Sequence, residues 1–159
     1  MDLSQLDNKQ LLEVYCALMS ELRERGVVRS ANNPVADYTE TLVSNALELQ
    51  LEKNSKAGYD AIDKAKGTRY QIKGRRLTAH NASTQLSAIR NLEQRPFDVL
   101  AAVVYASDLS VLYAALIPVE VVLETARFSR HSNSHVFMFR RSILDDPRVW
   151  DITAAVSAI

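Results

Sequence analysis

A single cysteine in 159 residues is the first constraint this chain sets. Cys16 has no partner for an internal disulfide and falls in an amphipathic helical pattern, so the reading is a buried thiol in a reducing, cytoplasmic protein. Long apolar runs are missing as well. None is uninterrupted enough to span a bilayer, and Met1-Asp2-Leu3 opens without the basic stretch and apolar segment of an export signal, so no membrane partner is expected. The chain has no Gly-rich phosphate loop, no nucleophile elbow and no cysteine cluster, and with them go three common kinds of catalytic site. Internal repeats, low-complexity tracts and long linkers are also absent. Even a charge excess is lacking, since 19 Lys and Arg balance 19 Asp and Glu.

What is present is ordinary globular material, 47% hydrophobic and 24% charged, enough to bury a core in one domain spanning 1–159. Within it, 1–32 read as an N-terminal helical extension and 33–105 as the segment bearing the motifs. The balanced charge is unevenly placed. Residues 1–63 carry a net −5, residues 64–141 a net +7 and residues 142–159 a net −2. The basic stretch makes a phosphate-binding face the functional expectation, with solvated surface charge as the plainer one. Arg127, Arg130, Arg140 and Arg141 would extend such a face.

Periodicity predicts an alternating α/β order. Leu11, Leu12, Val14, Tyr15, Leu18 and Leu22 mark a helix from about Asn8 to Arg25, stopped by Gly26. Asn33 and Pro34 are a cap and first-turn proline for a helix running to about Leu47. "ELQLEKN" reads as a short strand and "GYDAIDKAKGTRYQIKGRR" as a hairpin. Asn81 to Gln94 is expected to be a helix that Pro96 stops. "DVLAAVVYAS" and "VLYAALI" are apolar strands joined at Asp108, buried on both faces. A short helix is expected from Pro118 to Thr125, a strand at "HVFMFRR", and a last helix from Pro147 carrying Trp150, Ile152 and Val156. The sum is a mixed sheet packed between helices.

The hairpin raises the functional question. If "KAKG" is the turn, Asp63 pairs with Thr68 and Asp60 with Gln71. Lys73, two positions on, then shares their face, within reach of Asp60. Tyr59, Ala61, Tyr70 and Ile72 are expected to point the other way, into the core. On the preceding helix, Val35, Tyr38, Leu42, Val43, Ala46, Leu47 and Leu49 cover one arc. Glu40 sits at its margin and is the acid best placed to approach the sheet, whereas Asp37 and Glu48 point away.

An acid on a helix, an Asp after Gly-Tyr in one strand, and Gln71-Ile72-Lys73 in the next resemble the PD-(D/E)xK nuclease superfamily in its Q-x-K form. Gln71 stands where many members carry an acid, and Tyr59 where they carry proline. The resemblance implies a restriction endonuclease-like α/β/α core, with a central mixed β-sheet flanked by helices. It further implies a Mg²⁺ (or Mn²⁺) ion held by the Asp60 carboxylate, the Ile72 carbonyl and the Gln71 amide oxygen, with Glu40 ligating directly or through water. Lys73 would orient the attacking water or stabilise charge on the phosphate, completing a catalytic set of Glu40, Asp60, Gln71 and Lys73 in a metal-dependent endonuclease acting on DNA. Arg75 and Arg76 would grip flanking phosphates, and Gly74 would let backbone approach them closely. Neutral Gln71 implies at most one tightly held ion. A homodimer is expected because two strands call for two sites, and a partner protein could supply targeting. The alternative is a catalytically inactive protein of the same fold that binds nucleic acid or another protein. His131 and His135 lie four apart in a loop-forming stretch with no third soft ligand, so zinc is not expected.

Overall fold

A computed structural model describes residues 2–30, 33–53 and 58–159. The chain starts with helix α1 (Asn8–Glu24), set by a reciprocal cap: Gln10 N–H donates to Asp7 Oδ1 at 2.8 Å and Asp7 N–H to Gln10 Oε1 at 2.9 Å. Helix α2 (Pro34–Ala46) follows, with the Asn33 side chain accepting from Val35 N–H at 3.0 Å and Pro34 in the first turn. Strands β1 (Gln50–Leu51), β2 (Ala61–Asp63) and β3 (Thr68–Arg76) form an antiparallel meander, and β4 (Val99–Tyr105) lies parallel to β3. Antiparallel β5 (Val111–Pro118) runs directly into α3 (Val119–Thr125). A small hairpin, β6 (Arg127–Ser129) and β7 (Ser134–Val136), precedes the edge strand β8 (Trp150–Asp151) and helix α4 (Thr153–Ser157). The sheet order is β1-β2-β3-β4-β5-β8, mixed as expected, with helices on both faces.

Burial on both faces accounts for the composition of β4, whose residues from Leu100 to Tyr105 are all fully buried. On one face Tyr70, Ile72, Ala101, Val103 and Tyr105 pack with Leu42 and Val43 of α2 and Val156 of α4. On the other, Leu100, Ala102 and Val104 pack with α3, with Phe137 and Phe139, and with Leu86, Ile89, Leu92 and Phe97. Tyr105 also reaches α2, its hydroxyl donating to Thr39 Oγ1 at 3.0 Å while that oxygen donates to the Val35 carbonyl at 2.6 Å. Burial pushes the Tyr105 phenol up to about 12, so it stays a donor. Tyr105→Phe is expected to cost about 1 kcal/mol in chemical denaturation, the net worth of one buried hydrogen bond.

Several expectations are corrected. Residues 81–94 are not a helix; the strand β3 is carried across to β4 by an extended segment ending in one short 3₁₀ turn, Leu92–Gln94. Its polar residues cap their own backbone: Ser83 N–H donates to Asn81 Oδ1 at 3.2 Å and Gln85 N–H to Ser83 Oγ at 3.2 Å. The segment then bonds β7 and the residue after it, Ile89 N–H to the His135 carbonyl and Leu86 N–H to the Phe137 carbonyl, both at 3.0 Å. "HVFMFRR" is therefore strand only to Val136, and Trp150 lies on edge strand β8 rather than in the last helix. Of α1, only Met19 is buried. Leu12, Tyr15 and Leu18 are 66%, 48% and 54% exposed, and Cys16 is an exposed free thiol, not a buried one. The last residue of "ELQLEKN", Asn54, lies outside the described residues. Among those residues, no helix is long and apolar enough to cross a membrane.

Candidate functional site

The hairpin has the register that its turn length dictates. Ala61 pairs with Tyr70, Ile62 with Arg69 and Asp63 with Thr68. The turn is fixed by Gly67 at φ 71° and by Asp63, whose Oδ1 accepts from the amides of Ala65 and Lys66 at 2.9 and 3.2 Å. Strand β2 begins only at Ala61, one residue after Asp60, and the chain reverses its alternation there. Tyr59 packs with the cluster beside α3, whereas Ala61 packs with the one beside α2. Tyr59 is thus on the face opposite to the one expected. Gly58 makes the bend: it has φ 105°, and a Cβ there would overlap Pro96.

This break in the strand gives the Asp60 side chain its position. Where β2 no longer supplies a carbonyl, Asp60 Oδ2 accepts the Ile72 N–H at 2.7 Å, while the Asp60 N–H still donates to the Tyr70 carbonyl at 2.8 Å. The Gln71 side-chain amide also donates to Oδ2. Gln71 and Lys73 stand in register with Leu100 and Ala102, so both face the α3 side of the sheet. Asp60 and Lys73 therefore lie on one side of the β-layer, close enough for their charges to be felt by each other. By the same alternation, Ile72 turns its side chain into the α2 core and leaves its N–H and carbonyl on the β2 edge.

Burial dominates the electrostatics of both ends. It raises the Asp60 carboxyl above its usual value, against the Ile72 N–H, the Lys73 ammonium, the Gln71 amide and the Arg29 guanidinium, which each pull it down. It lowers the Lys73 ammonium below its usual value, with only Asp60 opposing. The Lys73 Nζ donates to Ser87 Oγ at 2.8 Å, a contact made by the extended segment that replaces the expected helix. Ser87 had no signal in the sequence, because a serine in a supposed helix gives no reason to meet β3.

Glu40 comes from α2, on the opposite face, and its side chain is 14% exposed. It pairs with the Arg29 guanidinium, which also donates to the Glu52 carbonyl at 2.8 Å. Glu52 in turn donates its N–H to the Asp60 carbonyl at 2.9 Å, so one chain of contacts runs from Glu40 through Arg29 to the backbone of Asp60. Asp37, expected to point away, holds the Arg29 and Ser30 amides on its Oδ2 at 2.8 and 2.6 Å. Arg29 was not foreseen; it precedes α2 by several residues, and its partners are set by the tertiary fold.

The arginines after Lys73 are engaged with loops. Arg75 donates to the Ser83 carbonyl at 2.8 Å and Asn81 Oδ1 at 2.9 Å; Arg76 Nε donates to the Ser107 carbonyl at 2.8 Å. Both still line a cavity of about 270 Å³, with Ile72, Lys73, Gly74, Ser87 and the first turn of α2. What approaches Gly74 in the structure is Thr39 and Tyr105. His135 meets Glu93 at 3.1 Å and Phe128 edge-on.

The residues named as ligands carry oxygen donors of the kind a hard cation takes, but Glu40 is already paired with Arg29. Asp60 and Glu40 supply carboxylates and Ile72 a carbonyl, whereas Gln71 presents its amide nitrogen to Asp60 and would ligate only with that amide turned over. No cluster of three His, Cys, Asp or Glu suited to a metal occurs among the described residues. Two carboxylates with neutral oxygens are a donor set that Mg²⁺ or Mn²⁺ would take weakly, whereas zinc prefers His and Cys beside its carboxylates. No protein-family model matches the chain, and no curated protein matches it.

Proposed function

We propose that the protein is a Mg²⁺- or Mn²⁺-dependent endonuclease acting on DNA, built on a restriction endonuclease-like variant of the mixed sheet. The observation that carries this reading is the placement of Asp60 and Lys73 on one side of a strand end, the carboxylate held by the Gln71 amide and the ammonium by Ser87. Two oppositely charged groups are held half-buried on one side of a strand end, each with its pKa driven by burial away from the usual value. A neutral acceptor at position 60 would satisfy the Ile72 N–H as well, so the hairpin needs neither charge, and such displaced values cluster where chemistry is done. The mixed sheet between helices and the Gln71-Ile72-Lys73 register support the same reading.

Asp60, Glu40 and the Ile72 carbonyl would hold the ion, with Gln71 fixing the Asp60 carboxylate from the side. The ion, when bound, would polarise the phosphate and acidify a water. Lys73 presents an ammonium beside the cavity lined by Arg75 and Arg76, where it stabilises negative charge gathering on a phosphate. Ser87 holds that ammonium in place. The exposed apolar residues of α1 are the surface we assign to a second copy, giving one site per DNA strand. Leu12→Glu combined with Leu18→Glu is expected to shift the light-scattering mass from dimer to monomer, and a wild-type monomer overturns the assignment.

The deciding assay is cleavage of plasmid or branched DNA with Mg²⁺ or Mn²⁺ by the wild type, Asp60→Ala and Lys73→Ala. Cutting by the wild type alone is expected. Equal traces in all three would leave the second reading, a catalytically inactive binding subunit, which the neutral Gln71 and the Arg29–Glu40 pair favour.

A further inference from the structure

The acidic half of the site already contains a cation. Arg29 donates from one guanidinium nitrogen to Glu40 and from another to the Glu52 carbonyl, and its own N–H is fixed by Asp37. Glu52 adjoins the Asp60 backbone, so the guanidinium bonded to Glu40 also reaches the chain that carries Asp60, and its charge is felt by the Asp60 carboxyl. With Lys73 beside Asp60, the four side chains sum to zero charge. A site prepared only for Mg²⁺ has no use for this balance, because an added divalent ion meets two resident cations at short range.

We propose that Arg29 is a built-in counter-ion which a divalent ion displaces from Glu40, so that metal loading and release of Arg29 are one event. Glu40 is bonded to the Arg29 side chain and is nearly buried, so leaving it without a cation is costly. Arg29 removes that cost in the metal-free protein, and the ion removes it in the loaded one. The exchange makes affinity for the metal weak by construction and links it to the segment entering α2, because the same arginine is anchored there through its own amide and Asp37. A bidentate fork suits this role better than a lysine ammonium, since it satisfies Glu40 and the Glu52 carbonyl together.

The inference rests on the metal-nuclease reading, and the experiment keeps the two apart. Calorimetric titration of Mn²⁺ into the full chain without DNA is expected to show binding about tenfold tighter in Arg29→Met than in the wild type. Asp60→Asn in the Arg29→Met background should abolish it. If Arg29→Met fails to fold, NMR of the wild-type Arg29 guanidinium serves instead, and its N–H signals should pass from slow to fast solvent exchange as Mg²⁺ is added. Equal or weaker Mn²⁺ binding by a folded Arg29→Met overturns the proposal, as does an Arg29 signal unchanged at saturating Mg²⁺. If the wild type cleaves DNA in those cases, only the role of Arg29 falls. If neither protein binds the ion and the wild type does not cleave, the nuclease reading falls with it.

Discussion

Gly74→Ala is expected to lower stability by about 3 kcal/mol, the upper range for overpacking a close contact. A methyl at this position would overlap Thr39 Oγ1 and come to 3.0 Å from Thr39 Cβ and 3.2 Å from Tyr105 Cε2. None of these atoms yields easily. Thr39 and Tyr105 are fully buried, and Thr39 Oγ1 is committed in both directions, to the Val35 carbonyl and to the Tyr105 hydroxyl. Turning the threonine away breaks both bonds, so α2 itself must move off β3. For a chain of this length the loss corresponds to roughly 10 °C in melting temperature. Thr39→Ala should recover part of the loss in the Gly74→Ala background while being destabilising alone, a coupling that a double-mutant cycle in urea reads directly. Additive losses would show that the contact does not set the helix position. Glu40 is the residue after Thr39, so the same displacement carries it away from the strand end, and DNA cleavage is expected to fall together with stability.

This contact also shows which parts of the molecule were legible from sequence. Gly74 is recognisable as a place of close backbone approach, but what approaches it is a helix, and only the packing of α2 on β3 reveals that. The hairpin register was readable because two local rules fix it, the turn at Gly67 and the period of two along β3. Those rules stop where the strand does. Tyr59 was misplaced because Gly58 bends the chain just ahead of β2, and a strand pattern contains no mark of where its pairing ends. Residues 81–94 looked helical because Leu86, Ile89 and Leu92 recur at three-residue intervals, which suit a helix face as well as an extended segment lying on a core. Asn81 and Ser83 favour the second by accepting from the Ser83 and Gln85 amides. Arg29 and Ser87 were invisible for one reason: each meets the site through a contact between segments distant in sequence. Helix α1 was misread from the opposite direction, since its apolar row is real but, among the described residues, nothing covers it beyond Met19.

Lys73→Met is expected to reduce kcat/KM for DNA cleavage by about 10²–10³-fold, the loss that follows removal of one preorganised charge stabiliser. Melting temperature should hold or rise slightly, and that separation is the informative result. Burial lowers the Lys73 pKa below 10.5 and raises the Asp60 pKa above 3.8, so each charge is carried at a cost to the fold. For Asp60, the folded chain takes up its proton at higher pH than the unfolded chain. The stability this gives is present at low pH and is lost as pH rises from 3.8 through the native value. For Lys73, the folded chain releases its proton first, so stability grows as pH rises from the native value towards 10.5. Near neutrality both penalties act at once, relieved in part by the attraction between the two groups. Methionine removes the lysine's penalty and fills similar volume, while leaving Asp60 without its neighbour, which drives the carboxyl further up. In the metal-free protein the Asp60 carboxyl should accordingly titrate, by NMR, above the ordinary carboxylate range in the wild type and higher still in Lys73→Met, while the pH–rate profile reports on the lysine. The alkaline limb, below the ordinary lysine value in the wild type, should vanish in the variant. A structural lysine, kept only for its bond to Ser87, predicts the reverse: a lower melting temperature with the pH profile unmoved.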